Sequence, residues 1–187
     1  MIDIKDFTPT AEAISAHGLG FIQVKLEANM RLHVWHPELP RRKCFRYSAV
    51  HNHRFSFSST VLIGQQVNRR YRVVEGDFGA YDLISHDGPR SDKGGRESFI
   101  CGRVDLIGQH DEFYQPGDTY HMAELEYHET PNAGVVVTLM KKLSEGAVHA
   151  NSTILRGRTF DQDFNRFQLP AAELWGLVVR ALSKDCA

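Results

Sequence analysis

The chain has 187 residues, which is enough for one domain with a full hydrophobic core and few for two. Its 22 Lys and Arg residues nearly balance its 23 Asp and Glu residues, for a formal net charge of −1. The basic residues form no long run or stripe, so we expect no nucleic-acid partner.

The N-terminal segment "MIDIKDFTPTAEAISAHG" lacks the basic start and apolar block of a signal peptide, and no apolar run approaches membrane length. The cysteines Cys44, Cys101 and Cys186 are odd in number and have no C-x-x-C spacing, which favours reduced thiols. We therefore expect a cytoplasmic protein with no membrane partner.

The first predicted element is a short helix in "PTAEAISAHG", ending at Gly18. Short segments with apolar alternation follow, separated by turn residues, as is typical of an all-β sandwich or barrel. The segment "SHDGPRSDKGGRES", residues 85–98, combines glycine, proline and charge without apolar periodicity and predicts a long mobile loop. A second helix is predicted at about residues 170–184, with an apolar stripe.

The placement of the histidines is the main functional signal. In "SAVHNHRFSFSSTVLIG", residues 48–64, His51 and His53 stand one residue apart at the head of an apolar run. Successive side chains of an extended strand point to opposite faces, so these two rings share a face and can bind one metal ion.

This stretch resembles the first motif of the cupins, G-(x)5-H-x-H-(x)3-E-(x)6-G. His51, His53 and Gly64 fall at matching positions, Phe57 stands at the glutamate position and Phe45 at the leading glycine. Cupins are small double-sheet barrels whose motif histidines hold a metal.

The second cupin motif, G-(x)5-P-x-G-(x)2-H-(x)3-N, resembles "GDTYHMAELEYHETPN". Gly117, His128 and Asn132 match, while Ala123 and Leu125 replace the proline and the second glycine. The resemblance makes His128 the third ligand, with His121 as the alternative. A turn near residues 123–126 would bring His128 back on the opposite strand.

The resemblance implies an all-β fold: a single cupin jelly-roll barrel over residues 1–187, with the core barrel at about residues 20–156 and short N- and C-terminal helices. Three imidazoles without a carboxylate would leave a divalent ion at full charge with open positions, which favours an anionic substrate. Imidazole suits several metals; Fe²⁺ is favoured, and Ni²⁺, Zn²⁺, Cu²⁺ and Mn²⁺ are alternatives.

A three-histidine cupin site resembles that of the thiol dioxygenases, which implies ferrous iron, molecular oxygen and a substrate held by arginine. This chain departs from their pattern after the third ligand, where it keeps one hydroxyl, on Thr138. Tyr120 and Tyr127 flank the second motif and are further candidates for a catalytic hydroxyl near bound oxygen.

Candidate substrate-binding residues lie on predicted strands. Arg70, Arg72 and Arg103 can grip a carboxylate if they point inward, and are solvated surface residues if they do not. Tyr71 alternates with Arg70 and Arg72, so either the tyrosine or that arginine pair faces the interior.

The prediction is a metal-binding cupin, an iron-dependent (di)oxygenase of a small anionic molecule. Two alternatives are a non-catalytic cupin that binds a small molecule or sugar, and a metal-independent isomerase or epimerase in which histidine is the base. We also expect a homodimer, because cupins often pair through terminal elements and the last helix has an apolar face with Trp175.

Overall fold

The computed structural model describes residues 13–26, 29–146 and 149–183, and these residues form two antiparallel sheets and one α-helix. In chain order the elements are β1 (Ile14–His17), β2 (Phe21–Lys25), β3 (Met30–Trp35), a 3-10 helix (Lys43–Arg46), β4 (Phe55–Ile63), β5 (Gln66–Glu75), β6 (Tyr81–Arg90), β7 (Arg96–Tyr114), β8 (Thr119–Met122), β9 (Tyr127–Glu129), β10 (Val136–Glu145), β11 (Ala150–Leu155) and α1 (Ala171–Leu182). One sheet has the order β1-β2-β3-β10-β4-β8 and the other β11-β6-β7-β5-β9. This arrangement is compatible with the predicted jelly roll.

The six-stranded sheet buries one face under helix α1. Leu32 and Val34 of β3 pack there with Val137 of β10 and with Leu174 and Val178 of the helix. Because side chains alternate along a strand, the residues between them point to the opposite face. Those residues are Arg31, His33 and Trp35, and they line a cavity.

The cavity lies between the two sheets, since both contribute to its wall. Phe21 and Phe57 come from the six-stranded sheet, and His86 and Ser152 come from the five-stranded one. Sheet-on-sheet packing normally fills this space with apolar side chains, so a cavity here is a place for a ligand.

A short turn carries the chain from one sheet to the other, as the sequence predicts. The amide of Glu126 donates to the carbonyl of Ala123 at 3.4 Å, and the amide of Leu125 donates to the carbonyl of His53 at 2.8 Å. This turn ends β8 in the six-stranded sheet and starts β9 in the other, which carries His128.

Three glycine positions of the two motifs, Gly64, Gly117 and the one occupied by Leu125, have a positive φ. Gly64 has φ +75°, and a Cβ there would lie 2.3 Å from the carbonyl oxygen of Val135. Gly117 has φ +96°, and Leu125, which stands at a motif glycine, has φ +60°. The left-handed conformation costs a non-glycine residue about 1–2 kcal/mol. Leu125 nevertheless adopts it, so the turn geometry is kept without the favoured glycine.

The predicted N-terminal helix is wrong over its described part. Residues 9–12 lie outside the described residues, but Ile14–His17 form β1, paired antiparallel with β2. Ile14 and Ala16 are buried, whereas Ser15 and His17 point to the other side. The pairing with β2 and burial against α1 override the helical preference of an alanine-rich segment.

The predicted loop at residues 85–98 is also wrong, because strands β6 and β7 run through most of it. The chain turns only at residues 91–95, where the amide of Ser91 donates to the carbonyl of Gly95 at 2.8 Å. Backbone pairing across a hairpin does not need an apolar period, and glycines supply the turn conformation. The polar composition therefore marks an exposed hairpin.

The predicted C-terminal helix is present as α1, and its apolar face packs on the chain's own sheet. Leu174, Trp175, Leu177, Val178 and Ala181 are buried. This face is therefore covered and is not free to bind a second copy, and the homodimer remains a prediction. In the described part of the chain, no helix has the length and apolarity needed to span a bilayer.

Candidate metal centre and cavity

Backbone hydrogen bonds bring His51 and His128 side by side. The amide of each donates to the carbonyl of the other, at 3.0 and 2.9 Å, although the two residues are far apart in sequence. His51 also forms a backbone bridge to Ser152 of β11. The segment before β4 is thus fixed against β9, and the ring of His53 follows two residues later on the same side.

The three rings of His51, His53 and His128 form a cluster. The ring centroids are 4.9 Å apart for His51 and His53, 4.8 Å for His51 and His128, and 5.3 Å for His53 and His128. One ring nitrogen from each lies within 4.8 Å of the others, an arrangement that can hold a divalent metal ion. Strand alternation and the crossing turn together produce this convergence.

The ring nitrogens fit the requirements of a metal. The Nε2 atoms of His53 and His128 are 3.1 Å apart, which suits two ligands of one ion at metal–nitrogen distances of about 2.0–2.1 Å. His51 donates from Nδ1 to the carbonyl of Ala49 at 2.9 Å, which leaves its Nε2 as the lone-pair atom.

Burial keeps all three rings neutral at neutral pH. It lowers the pKa of His51 and lowers the pKa values of His53 and His128 further, and the neighbouring histidines add to the effect for these two. Neutral imidazole is the form that binds a metal. His128 Nδ1, the ring nitrogen that faces away from the cluster when Nε2 faces it, is buried and has no hydrogen-bond partner among the described residues.

His121 does not join this cluster. It lies exposed on β8, opposite Ser58 of β4. The structure thus brings together the three histidines that the motif resemblance selects and leaves the alternative one on the surface.

The cluster lies in the wall of the cavity, which has a volume of about 240 Å³. Aromatic rings flank it: Phe57 is 5.2 Å from His53 between ring centroids, and Phe55 is 5.3 Å away. Small-molecule sites have volumes of about 300–1,000 Å³, so this cavity suits a small ligand in contact with the histidines.

Of the three predicted catalytic hydroxyls, the structure places one at the cavity. Tyr120 lines it, is buried, and has its pKa raised to about 12 by burial. Tyr127 does not line it, and its hydroxyl accepts a bond from Asn151 Nδ2 at 3.2 Å. Thr138 is fully buried beside His33 in the register of β3 and β10 and does not line the cavity.

None of the four predicted substrate-binding residues lines the cavity. Arg70 donates from Nε to Glu112 at 2.8 Å and also pairs with Glu126, while Tyr71 donates to Glu129 at 2.6 Å. Arg72 is exposed, and Arg103 lies 3.9 Å from Asp82 with nearly half of its side chain exposed. Tyr71 and Arg70 point to opposite faces of β5, and it is Arg70 that faces inward, where its Nη1 contacts the buried Met122 Sδ at 3.6 Å outside the cavity wall.

The cavity is lined instead by arginines and histidines that sequence reasoning missed. The arginines are Arg31, Arg42, Arg54, Arg90, Arg96 and Arg166, and the further histidines are His17, His33 and His86. One signal was available: Arg31, His33 and Trp35 alternate with apolar residues on β3. Such alternation normally means that the polar face meets water, and only the packing of α1 on the apolar face turns the polar face inward.

No protein-family model matches the sequence, and a search of curated proteins finds no match.

Proposed function

We propose that this protein is a metal-binding cupin in which His51, His53 and His128 hold one divalent ion, and that it acts as an iron-dependent oxygenase on a small anionic molecule. The observation that carries the proposal is the meeting of three neutral imidazoles in the wall of a cavity lined by arginines. The preference for iron rests on the resemblance to the three-histidine thiol dioxygenases.

Each part of the site has a distinct role in this proposal. The histidines supply three neutral ligands, and a redox-active ion bound there would activate molecular oxygen. The aromatic rings of Phe55 and Phe57 limit access of water to the histidines. Tyr120, held protonated by burial, offers a hydroxyl donor in the cavity wall.

The proposal is tested by metal content and oxygen consumption. Elemental analysis of freshly purified protein should find about one equivalent of a transition metal. That metal should be absent from His51→Ala and His128→Ala and retained in His121→Ala, which removes an exposed histidine from a neighbouring strand. Iron-loaded protein should then consume oxygen with at least one member of a panel of small thiols, keto acids and related acids.

Two other outcomes would lead to different functions. A bound metal without oxygen uptake across the panel would favour a cupin that binds its ligand without reaction, consistent with the positions of Thr138 and Tyr127 away from the cavity. Wild-type protein that stays empty after reconstitution with each candidate metal would contradict the metal centre. The close pair of His53 and His128 would then be a candidate for acid–base chemistry.

A further inference from the structure

The cavity combines many positive charges with no negative one. Six arginines line it, and no aspartate or glutamate does so among the described residues. Buried charges in proteins are normally paired, because removing an ion from water is costly. A space enclosed by cations also concentrates negatively charged solutes.

Arg166 is the most buried of these arginines, with 8% exposure. Its guanidinium donates to the carbonyl of Ala16 at 3.2 Å, to Gln23 Oε1 at 3.1 Å and to Ser15 Oγ at 3.4 Å, all of them neutral acceptors. Burial and the charges of Arg90, Arg31 and Arg42 lower its pKa to about 9. Arg166 is thus close enough to three other arginines for their charges to act on it.

Arg42 and Arg31 rest on aromatic rings. The guanidinium carbon of Arg42 is 5.0 Å from the ring centre of Phe160, and that of Arg31 is 5.6 Å from Phe55. Within the described residues neither forms an ion pair with a carboxylate, and the Nε of Arg42 is buried without a hydrogen-bond partner. A guanidinium stacked on a ring keeps its in-plane N–H donors available for a carboxylate or phosphate.

Two further polar side chains in the wall, Trp35 and His33, have a buried ring nitrogen without a hydrogen-bond partner among the described residues. Trp35 is buried, and its indole Nε1, which can only donate, has no partner among the described residues. His33 Nε2 is unsatisfied as well, and burial lowers the pKa of this histidine to about 3. Neutral histidines leave the arginines as the source of positive charge.

We propose that the cavity is a binding site for a small molecule with two or more negative charges, carboxylates or phosphates, held by Arg31, Arg42, Arg90 and Arg166. A ligand with one negative charge would offset only a fraction of the positive charge of these arginines. Contact between this ligand and a metal ion rests on the proposed function. Recognition of the ligand by the arginines does not need a metal.

The test is calorimetric titration of metal-free wild-type protein. The metal is removed with 1,10-phenanthroline, an uncharged chelator that does not compete for an anion site, and the ionic strength is held constant because salt screens such binding. The probes are malonate, succinate, citrate and pyrophosphate, with acetate as the single-charge comparison. We expect at least one multivalent probe to bind at least 100-fold more tightly than acetate.

Variants with matched charge changes locate the site. Arg31→Gln and Arg90→Gln should each weaken binding of the best probe at least tenfold. Arg156→Gln, which removes an exposed arginine just after β11 and outside the cavity wall, should change it less than twofold. Circular dichroism checks that each variant is folded. Two cavity variants are used so that, if one misfolds, the other still tests the site.

The inference is overturned if no multivalent probe binds more tightly than acetate, or if Arg156→Gln weakens binding as much as the cavity variants do. Failure of the metal centre would not affect this titration, because it uses metal-free protein. Conversely, if the protein binds iron through its histidines but does not prefer multivalent anions, the proposed function stands and this inference is wrong.

Discussion

Two groups of arginines in this molecule have opposite surroundings. On strand β5, Arg69 donates to both carboxylate oxygens of Asp111 at 2.6 and 2.8 Å, and Arg70 pairs with Glu112 and Glu126. These partners raise the pKa values of both arginines. In the cavity, burial lowers the pKa values of Arg31, Arg42, Arg90 and Arg166, and neighbouring arginines lower those of Arg90 and Arg166 further.

The difference separates structural from ligand-binding roles for one residue type. An arginine whose donors are already taken by carboxylates stabilises the fold and has little left for a ligand. An arginine in an enclosed space without a carboxylate destabilises the unliganded protein, and a ligand can supply the missing charge. Substitutions in the two groups should therefore change stability in opposite directions.

The largest expected effect is a loss of stability on Arg70→Gln. This side chain is only 14% exposed, and the substitution would leave Glu112 and Glu126 without their cation. Hydrogen bonds to charged groups contribute about 1.5–3 kcal/mol each. We expect a free energy of unfolding lower by about 2 kcal/mol, or a Tm lower by about 4–8 °C for a chain of this size.

Arg72→Gln is the control for this variant, because Arg72 is exposed on the same strand. A surface substitution of this kind should change the free energy of unfolding by less than about 0.5 kcal/mol. Urea denaturation of the three proteins measures both values. Equal stability of Arg70→Gln and Arg72→Gln would contradict the structural role given to Arg70 and its ion pairs.

The second-largest expected effect is a loss of stability in acid that is caused by His33 in the cavity wall. Desolvation, Arg31 and Arg166 lower the pKa of His33 to about 3, whereas an unfolded histidine has a pKa of about 6.5. Between these values the unfolded chain holds a proton that the folded chain does not, so stability falls as the pH falls below about 6.5. The slope is at most about 1.4 kcal/mol per pH unit, and less because the half-buried His33 retains contact with solvent.

His33→Gln removes this contribution. Between pH 7 and pH 5 the variant should lose about 1–2 kcal/mol less than wild type, measured by urea denaturation at each pH. His121→Gln, which removes an exposed histidine of β8, is the matched control and should keep the wild-type slope. If His33→Gln has the wild-type slope too, the cavity does not hold His33 in its neutral form.

Much of the three-histidine cluster could be predicted from the sequence, because local rules place its members. The one-residue spacing of His51 and His53 follows strand alternation, and the motif register selects His128 over His121. The positive φ of Leu125 at a motif glycine position supports that register. Spacing alone could not show how a turn between sheets brings His128 beside His51, since that depends on long-range backbone pairing.

The arginine-lined wall of the cavity could not be predicted in the same way. Arg166 and the hairpin arginine Arg90 reach the cavity through tertiary contacts: the amide of Arg166 donates to the carbonyl of Lys93 at 3.0 Å, and the carbonyl of Arg166 accepts from the amide of Ala16 at 2.9 Å. The sequence shows that Arg70 and Arg72 lie on a strand, but not that carboxylates of β7 and β9 face that strand. Pairing partners, rather than local pattern, decide which arginines are free.

The smallest expected effect has the opposite sign to the first. Arg31→Gln removes a half-buried cation that lies over the ring of Phe55 and is attracted by the distant charge of Glu145, a carboxylate that already pairs with Lys142. Relief of repulsion with Arg166 and Arg90 should exceed the loss of the ring contact. The Tm of the unliganded variant should rise by about 2–4 °C, which corresponds to about 1 kcal/mol in the free energy of unfolding.

In saturating concentrations of the best multivalent anion, wild type should instead have the higher Tm, because it then gains binding free energy that the variant lacks. Thermal denaturation of both proteins with and without the anion measures this reversal. A variant that is less stable than wild type under both conditions would assign Arg31 to the structural group, and the contrast between the two groups of arginines would no longer hold for it.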